Sequence, residues 1–312
     1  MSAPRHLPVR IGTRGSPLAL AQAEMTRAAL AATTPDLAEA GAVEIVVIKT
    51  TGDAVLDRPL AEIGGKGLFT KEIEEALLAR TIDLAVHSMK DVPTALPPGL
   101  VIAAMLPRED PRDALIAGDC RRLADLPRGV VVGTASLRRA AQLLALRPDL
   151  RVVSLRGNVQ TRLRKLAAGE VAATFLAVAG LKRLGLESAV SAALEPEEML
   201  PAVAQGAVGI EAREDDTSTL ELLARIDHAV TFRRVVAERA FLAALEGSCR
   251  TPIAALAEFD GDALTFRGLV ARPDGTGLRR TERHASAADA EVVGAVAGAE
   301  MRGELPADFF AS

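Results

Sequence analysis

Ser88, Lys90 and Asp91 lie within the stretch His87 to Pro93, directly after the apolar run Ile82 to Val86. Such a run reads as a short buried strand, and Pro93, Pro97, Pro98 and Gly99 forbid any regular continuation. In open α/β sheets ligands bind beyond the carboxyl ends of the strands, so a hydroxyl, an amine and a carboxylate delivered together are placed for ligand chemistry. Asp91 is the first candidate for a catalytic residue. The plainer reading makes it a turn-capping Asp before Pro93, with Lys90 as a surface neighbour.

Other residue groups point to anions. Gly12, Thr13, Arg14 and Gly15 follow a short strand and lead to Ser16, which caps a helix whose first residue is Pro17. Free backbone N–H groups and the helix dipole converge at such a corner, although a plain capped helix with Arg14 in solvent has the same pattern. From Arg138 to Lys165 the chain has eight basic residues against the single acid Asp149, within a protein whose net charge is −4. Arginines at the start of a helix oppose its dipole, and a bound anion removes that conflict; arginine also holds carboxylates in bidentate geometry. Arg147, Arg151, Arg164 and Lys165 fit a solvated charged face instead. Cys249, beside Arg250 in a tight loop, is either a thiol activated by its neighbour or a small inert hydrophobe.

These groups need a scaffold. At 312 residues, about half of them hydrophobic, the chain is globular and long enough for two or three domains. Eight Phe with no Trp or Tyr leave little for base stacking, and the acidic balance argues against nucleic-acid binding. Two cysteines, no leader pattern and no long apolar run predict a reduced, cytoplasmic protein outside the membrane. Four scattered histidines give no structural metal signature, while carboxylate ligation stays open.

Strands are expected at Val9 and Ile11, Glu44 to Ile48, Ile82 to Val86 and Val101 to Leu106, with the stretch from Ala54 to Phe69 as a mobile lid carrying Lys66. Arg108 to Asp113 reads as a domain crossing. The pattern then repeats: strand Val130 to Val132, cap Ser136, a helix with Arg138 and Arg139, strand Val152 to Leu155, cap Asn158 and strand Ala172 to Leu176. Leu200 to Glu211 reads as a second crossing, and two crossings imply a cleft. After Asp227 a long helix, Gly247 as its terminator, strand-like runs Ile253 to Phe259 and Ala263 to Val270, and a helix capped by Ser286 form a small third unit.

Taken together these stretches resemble the porphobilinogen deaminase (hydroxymethylbilane synthase) family over nearly the whole chain. The matching segments are TRGSPLALAQ from Thr13, KTTGD from Lys49, GGKGLF from Gly64, HSMKDVP from His87 and REDPRDA from Arg108. They continue with GTASLRR from Gly133, LRGNVQTRL from Leu155, AGLKRLG from Ala179, LPAVAQGAVGIEAR from Leu200 and EGSCRTPI from Glu246. The resemblance implies an α/β fold, with two periplasmic-binding-protein-like α/β domains around a cleft plus a small C-terminal α+β domain. The expected boundaries are 1–107 with 204–226, 108–203, and 227–312.

It also implies a dipyrromethane cofactor attached through a thioether to Cys249, onto which four porphobilinogen molecules condense before the linear tetrapyrrole is released. Asp91 matches the family's catalytic aspartate. Lys90, Ser88, Thr134, Ser136, Arg138, Arg139, Arg156, Gly157 and Arg183 match cofactor-binding positions, and Arg14, Ser16, Gln22, Lys66, Arg162 and Gln205 substrate-binding ones. The family further suggests a monomer whose partner is a small molecule. Ala204 stands where many relatives have Gly, Ala21 where many have an aromatic residue, and Ser248 where a Gly is common. A non-catalytic two-lobed anion-binding protein is the alternative, but it gives Asp91 and Cys249 no task.

Overall fold

The computed structural model describes residues 8–54, 67–247 and 251–310. In chain order the first elements are β1 (Val9–Thr13), α1 (Pro17–Thr33), β2 (Val43–Val47), α2 (Thr51–Ala54), α3 (Lys71–Leu78), β3 (Leu84–Ser88) and β4 (Leu100–Met105). There follow β5 (Asp113–Ile116), β6 (Val131–Gly133), α4 (Leu137–Leu146), β7 (Arg151–Val153), α5 (Val159–Ala167), β8 (Ala173–Ala177), α6 (Val178–Arg183) and β9 (Ala192–Leu194). The chain ends with β10 (Val208–Arg213), α7 (Thr217–Leu223), α8 (Ala229–Ala244), β11 (Ile253–Asp260), β12 (Ala263–Val270), β13 (Arg279–Ser286) and α9 (Ala290–Glu304).

The described residues form two compact units, one of 8–54, 67–108 and 207–232, the other of 109–206, 233–247 and 251–310. The first has a five-stranded sheet in the order β2-β1-β3-β10-β4, with β1, β2 and β3 parallel and β10 antiparallel to both its neighbours. Both faces are covered, as a largely parallel sheet requires. Val9, Ile11, Leu84 and Val86 pack on one face with Ala23 and Leu30 of α1, and Ala85 packs on the other with Ile73 and Leu77 of α3.

The second unit repeats this plan as β7-β6-β8-β5-β9, again with an antiparallel strand in fourth place, and adds the antiparallel sheet β11-β12-β13. In each five-stranded sheet the fourth strand is the one entered from a crossing segment. Glu238 of α8, fully buried, accepts hydrogen bonds from the N–H groups of Ala204 (2.6 Å) and Ala257 (2.9 Å), tying one crossing segment to β11.

The periodicity located most elements within two residues, and three strands differ from the expectation. Leu200 to Glu211 is not all crossing: from Val208 it is a wholly buried central strand. Buried Glu211 and Arg213 interrupt its apolar pattern, so hydrophobicity alone does not mark it. β9 is only three residues long, and β13, with the sequence RRTERHAS, is an edge strand whose mostly exposed side chains carry no alternation. Ala204 has φ of 59° and is fully buried, a conformation in which an L-residue is strained and a glycine is not.

Candidate active site

β3 is apolar and buried through Val86, and its carboxyl end carries the polar residues into a turn, Met89–Asp91. Met89 is buried and its N–H donates to the Ala207 carbonyl (3.1 Å), fixing the turn against the start of β10. The turn therefore presents Ser88, Lys90 and Asp91 on one pocket. The same pocket is lined by Arg14, Ser16 and Gln22 from the β1–α1 corner, and by Phe69 and Thr70 before α3.

The parts are mutually ordered. Ser16 caps α1, its hydroxyl accepting from the Ala19 N–H (3.3 Å). Gln22 is buried and its Nε2 donates to Ser88 Oγ (2.9 Å). A guanidinium nitrogen of Arg14 lies 3.6 Å from Asp91 Oδ2, and the same guanidinium lies over the Phe69 ring, 4.1 Å from its centroid. Asp91 is neither sealed in nor fully solvated, with its side chain 31% exposed. A half-exposed carboxylate beside a held cation is accessible to substrate and placed to face a cationic substrate group.

In the second unit the corner at β6 and α4 has the same construction: Ser136 Oγ accepts from the Arg139 N–H (3.4 Å), and Thr134 Oγ1 accepts from the Ser136 N–H (3.1 Å). Arg138 and Arg139 are each 5% exposed and converge on Asp113, which is fully buried. Arg138 Nη1 donates to Asp113 Oδ2 (2.7 Å) and the Leu200 carbonyl, while Arg139 Nη2 donates to Asp113 Oδ1 (2.7 Å) and Nη1 to the Phe175 carbonyl. Gln205 Nε2 completes the group with donations to Asp113 Oδ1 and the Pro111 carbonyl. Burial alone raises the Asp113 pKa, but the two guanidinium charges and these hydrogen bonds outweigh it and hold the carboxyl below the usual range.

Asp113 is thus an internal counter-ion that counting charges between Arg138 and Lys165 does not find, because it lies on a neighbouring strand. Two cations on one anion leave an excess positive charge at this corner. Arg183 Nη2 donates to the Gly206 carbonyl (2.6 Å), and Arg162 Nε to the Gly157 carbonyl (2.8 Å). Gly157 has φ of 116°, a conformation only glycine adopts readily, and it precedes the α5 cap Asn158. Arg147 is paired with Asp149 (2.8 Å) and cations there serve the fold.

Within the first unit, therefore, Arg14, Ser16, Gln22, Ser88, Lys90 and Asp91 come together, and within the second Arg138, Arg139 and Gln205 do. Sequence reasoning does not reach Phe69, Thr70 and Asp113; Phe69, two residues after a glycine-rich run, is the most findable. Lys66, most of the expected lid, and Cys249 lie outside the described residues. Cys120 is half-buried, its Sγ 3.6 Å from the Asp125 carbonyl oxygen. No helix among the described residues is long and apolar enough to cross a membrane.

Two family profiles match the chain: "Porphobilinogen deaminase, dipyromethane cofactor binding domain" over residues 9–221, and "Porphobilinogen deaminase, C-terminal domain" over 232–303. Porphobilinogen deaminase of Paracoccus denitrificans is 60% identical over 303 residues, covering 97% of this chain and 96% of that protein. The chloroplastic porphobilinogen deaminase of Oryza sativa is 56% identical over 308 residues, covering 97% and 86%. Among solved structures the methionine-binding protein MetQ covers 75% of this chain and 93% of its own, at 14% identity and a TM-score of 0.41, too distant to carry an argument.

Proposed function

The chain belongs to the porphobilinogen deaminase family, and from that premise we propose how its residues carry the reaction. The protein is a transferase of tetrapyrrole biosynthesis, a hydroxymethylbilane synthase: four porphobilinogen molecules are joined head to tail on a dipyrromethane primer, each losing ammonia, and hydrolysis releases 1-hydroxymethylbilane. The observation that carries the residue assignment is the pocket where Asp91, Lys90, Ser88 and Arg14 meet at the carboxyl end of β3.

The second unit fits an acid-bearing cofactor. Nε of Arg138 and Nε of Arg183 are both buried without a hydrogen-bond partner, donors suited to carboxylate groups. Thr134, Ser136, Arg138, Arg139, Arg156, Gly157 and Arg183 would hold it there, Ser88 and Lys90 are further cofactor-binding candidates, and Cys249 would anchor it as a thioether. When bound, the dipyrromethane supplies the nucleophilic pyrrole carbon on which the chain grows. The thioether needs Cys249 as a thiol, which a reducing compartment such as the cytoplasm preserves; the family resemblance adds a monomeric state to the reading. The reading divides the chain into 1–107 with 204–226, 108–203 and 227–312, whereas by compactness residues 204–206 and the described residues from 233 on go with 109–203.

Porphobilinogen carries an acetate and a propionate, which Arg14, Arg162 and Lys66 would hold, with Ser16, Gln22 and Gln205 completing the polar surroundings. Loss of ammonia leaves a cation delocalised over the substrate's pyrrole ring. Asp91 faces that charge, accepts from the pyrrole N–H and lowers the barrier electrostatically, and Arg14 keeps the carboxylate in place.

Intact mass and peptide mapping test the cofactor: an excess of two porphobilinogen units less two ammonias, located on Cys249, is expected, and a protein that stays unmodified after incubation with porphobilinogen and turns none over refutes the reading. Asp91→Asn should keep fold and cofactor while kcat falls by about 10²–10³, the loss typical of a removed electrostatic stabiliser. Near-normal turnover would remove Asp91 from the mechanism.

A further inference from the structure

We propose that His87, Glu211 and Glu74 form a buried proton-holding unit under the pocket, in which His87 exchanges the proton and Glu211 is its positioning residue. The inference rests on the porphobilinogen reading and extends it to residues that reading leaves idle. His87 Nε2 lies 2.9 Å from Glu211 Oε2; His87 is 5% exposed and Glu211 is fully buried on the adjacent strand β10. A carboxylate acceptor places the proton of the neutral ring on Nε2, leaving Nδ1 as an acceptor. Nδ1 has no hydrogen-bond partner among the described residues, and His87 lines the pocket that holds Asp91 and Lys90.

Glu74, on α3, is itself buried and interacts electrostatically with both members of the pair, and its backbone N–H donates to the Thr70 carbonyl (2.8 Å). Oε1 of Glu74 and Oε1 of Glu211 are both buried without a partner. Burial, with the Glu211 charge adding to it, pushes the Glu74 carboxyl above its usual range. The remaining charges nearby are Glu72 on α3 and, in the pocket, Arg14, Lys90 and Asp91. Arg213, two residues along β10, is taken up by the carbonyls of Leu77 and Ile82 and by Asp216.

The reaction requires such a group. At each coupling a carbon–carbon bond forms between the methylene that ammonia left and the free α carbon of a pyrrole. The α C–H bond must then break, its electron pair returning to the ring, while ammonia departs as ammonium. His87 Nδ1 accepts the α proton and passes it to the ammonia, so the unit ends as it began and no further reactant is consumed.

The first test needs no substitution. In wild-type holoenzyme, ¹⁵N NMR of the imidazole should show His87 protonated on Nε2 and bare on Nδ1 when neutral; a proton on Nδ1 overturns the proposal. In holoenzymes whose loading is verified by mass, His87→Gln should lower kcat about 10²–10⁴-fold with KM little changed. His87→Ala should recover part of its turnover with added imidazole, which a purely structural role would not allow. Folded, loaded His87→Gln with wild-type turnover and pH profile refutes the assignment. Failure of the wild type itself to convert porphobilinogen would refute the function reading instead.

Discussion

Asp113 shows how one buried carboxylate determines whether two arginines can be used. Arg138 and Arg139 are nearly sealed from water, and burial opposes the Arg138 charge, so their positions depend on the anion between them. Removing one partner of a buried ion pair typically costs 3–5 kcal/mol. Asp113→Asn should therefore lose about that much stability at pH 7 in urea unfolding, and should load cofactor poorly. The pH dependence follows from the sign of the shift. The folded Asp113 pKa is depressed, so its stabilisation is present above the unfolded value near pH 3.9 and is lost as pH falls below it. The gap between wild type and variant should close in acid, below about pH 4, and a gap that stays constant there would show that Asp113 titrates normally.

At the scale of elements, the corners were legible because their signals are local: a short apolar strand, a glycine-containing turn, Ser16 or Ser136 as cap, and an amphipathic helix. Both serines do accept from the N–H three residues on. Asp91 was legible for the same reason, being a few residues beyond a strand that hydrophobicity marks. What sequence reading left out arises from pairing between distant segments: Glu211 beneath His87, 124 residues away, and Asp113 beneath Arg138, 25 residues away. No periodicity encodes those partners. Because each cap satisfies donors of its own helix, Ser16→Ala and Ser136→Ala should each cost about 1 kcal/mol. The two caps belong to different units and share no partner, so the double variant should lose the sum of the single losses, measured by denaturant midpoint. A clearly smaller combined loss would mean that the two corners are energetically coupled.

For the whole molecule the question is what the C-terminal part does for the rest. Residues 233–312 belong to the same compact unit as 109–206. Their buried residues Ala254, Leu256, Leu269 and Ala271 pack in one cluster with Ala141 of α4 and with Leu200. Glu238 supplies the acceptor for the Ala204 N–H, at a position whose φ of 59° an alanine holds only under strain. The C-terminal part thus supports the helix that carries Arg138 and Arg139 and the turn that leads to Gln205. A chain ending at Phe232 would expose the Ala141 and Leu200 faces and leave the Ala204 turn without its carboxylate. Hydrogen exchange should then show α4 and residues 200–206 losing protection, while β1 and β3, whose core lies in the other unit, keep theirs. Unchanged protection of α4 would instead mean that residues 233–312 act as an independent domain, carrying Cys249 without shaping the arginine corner.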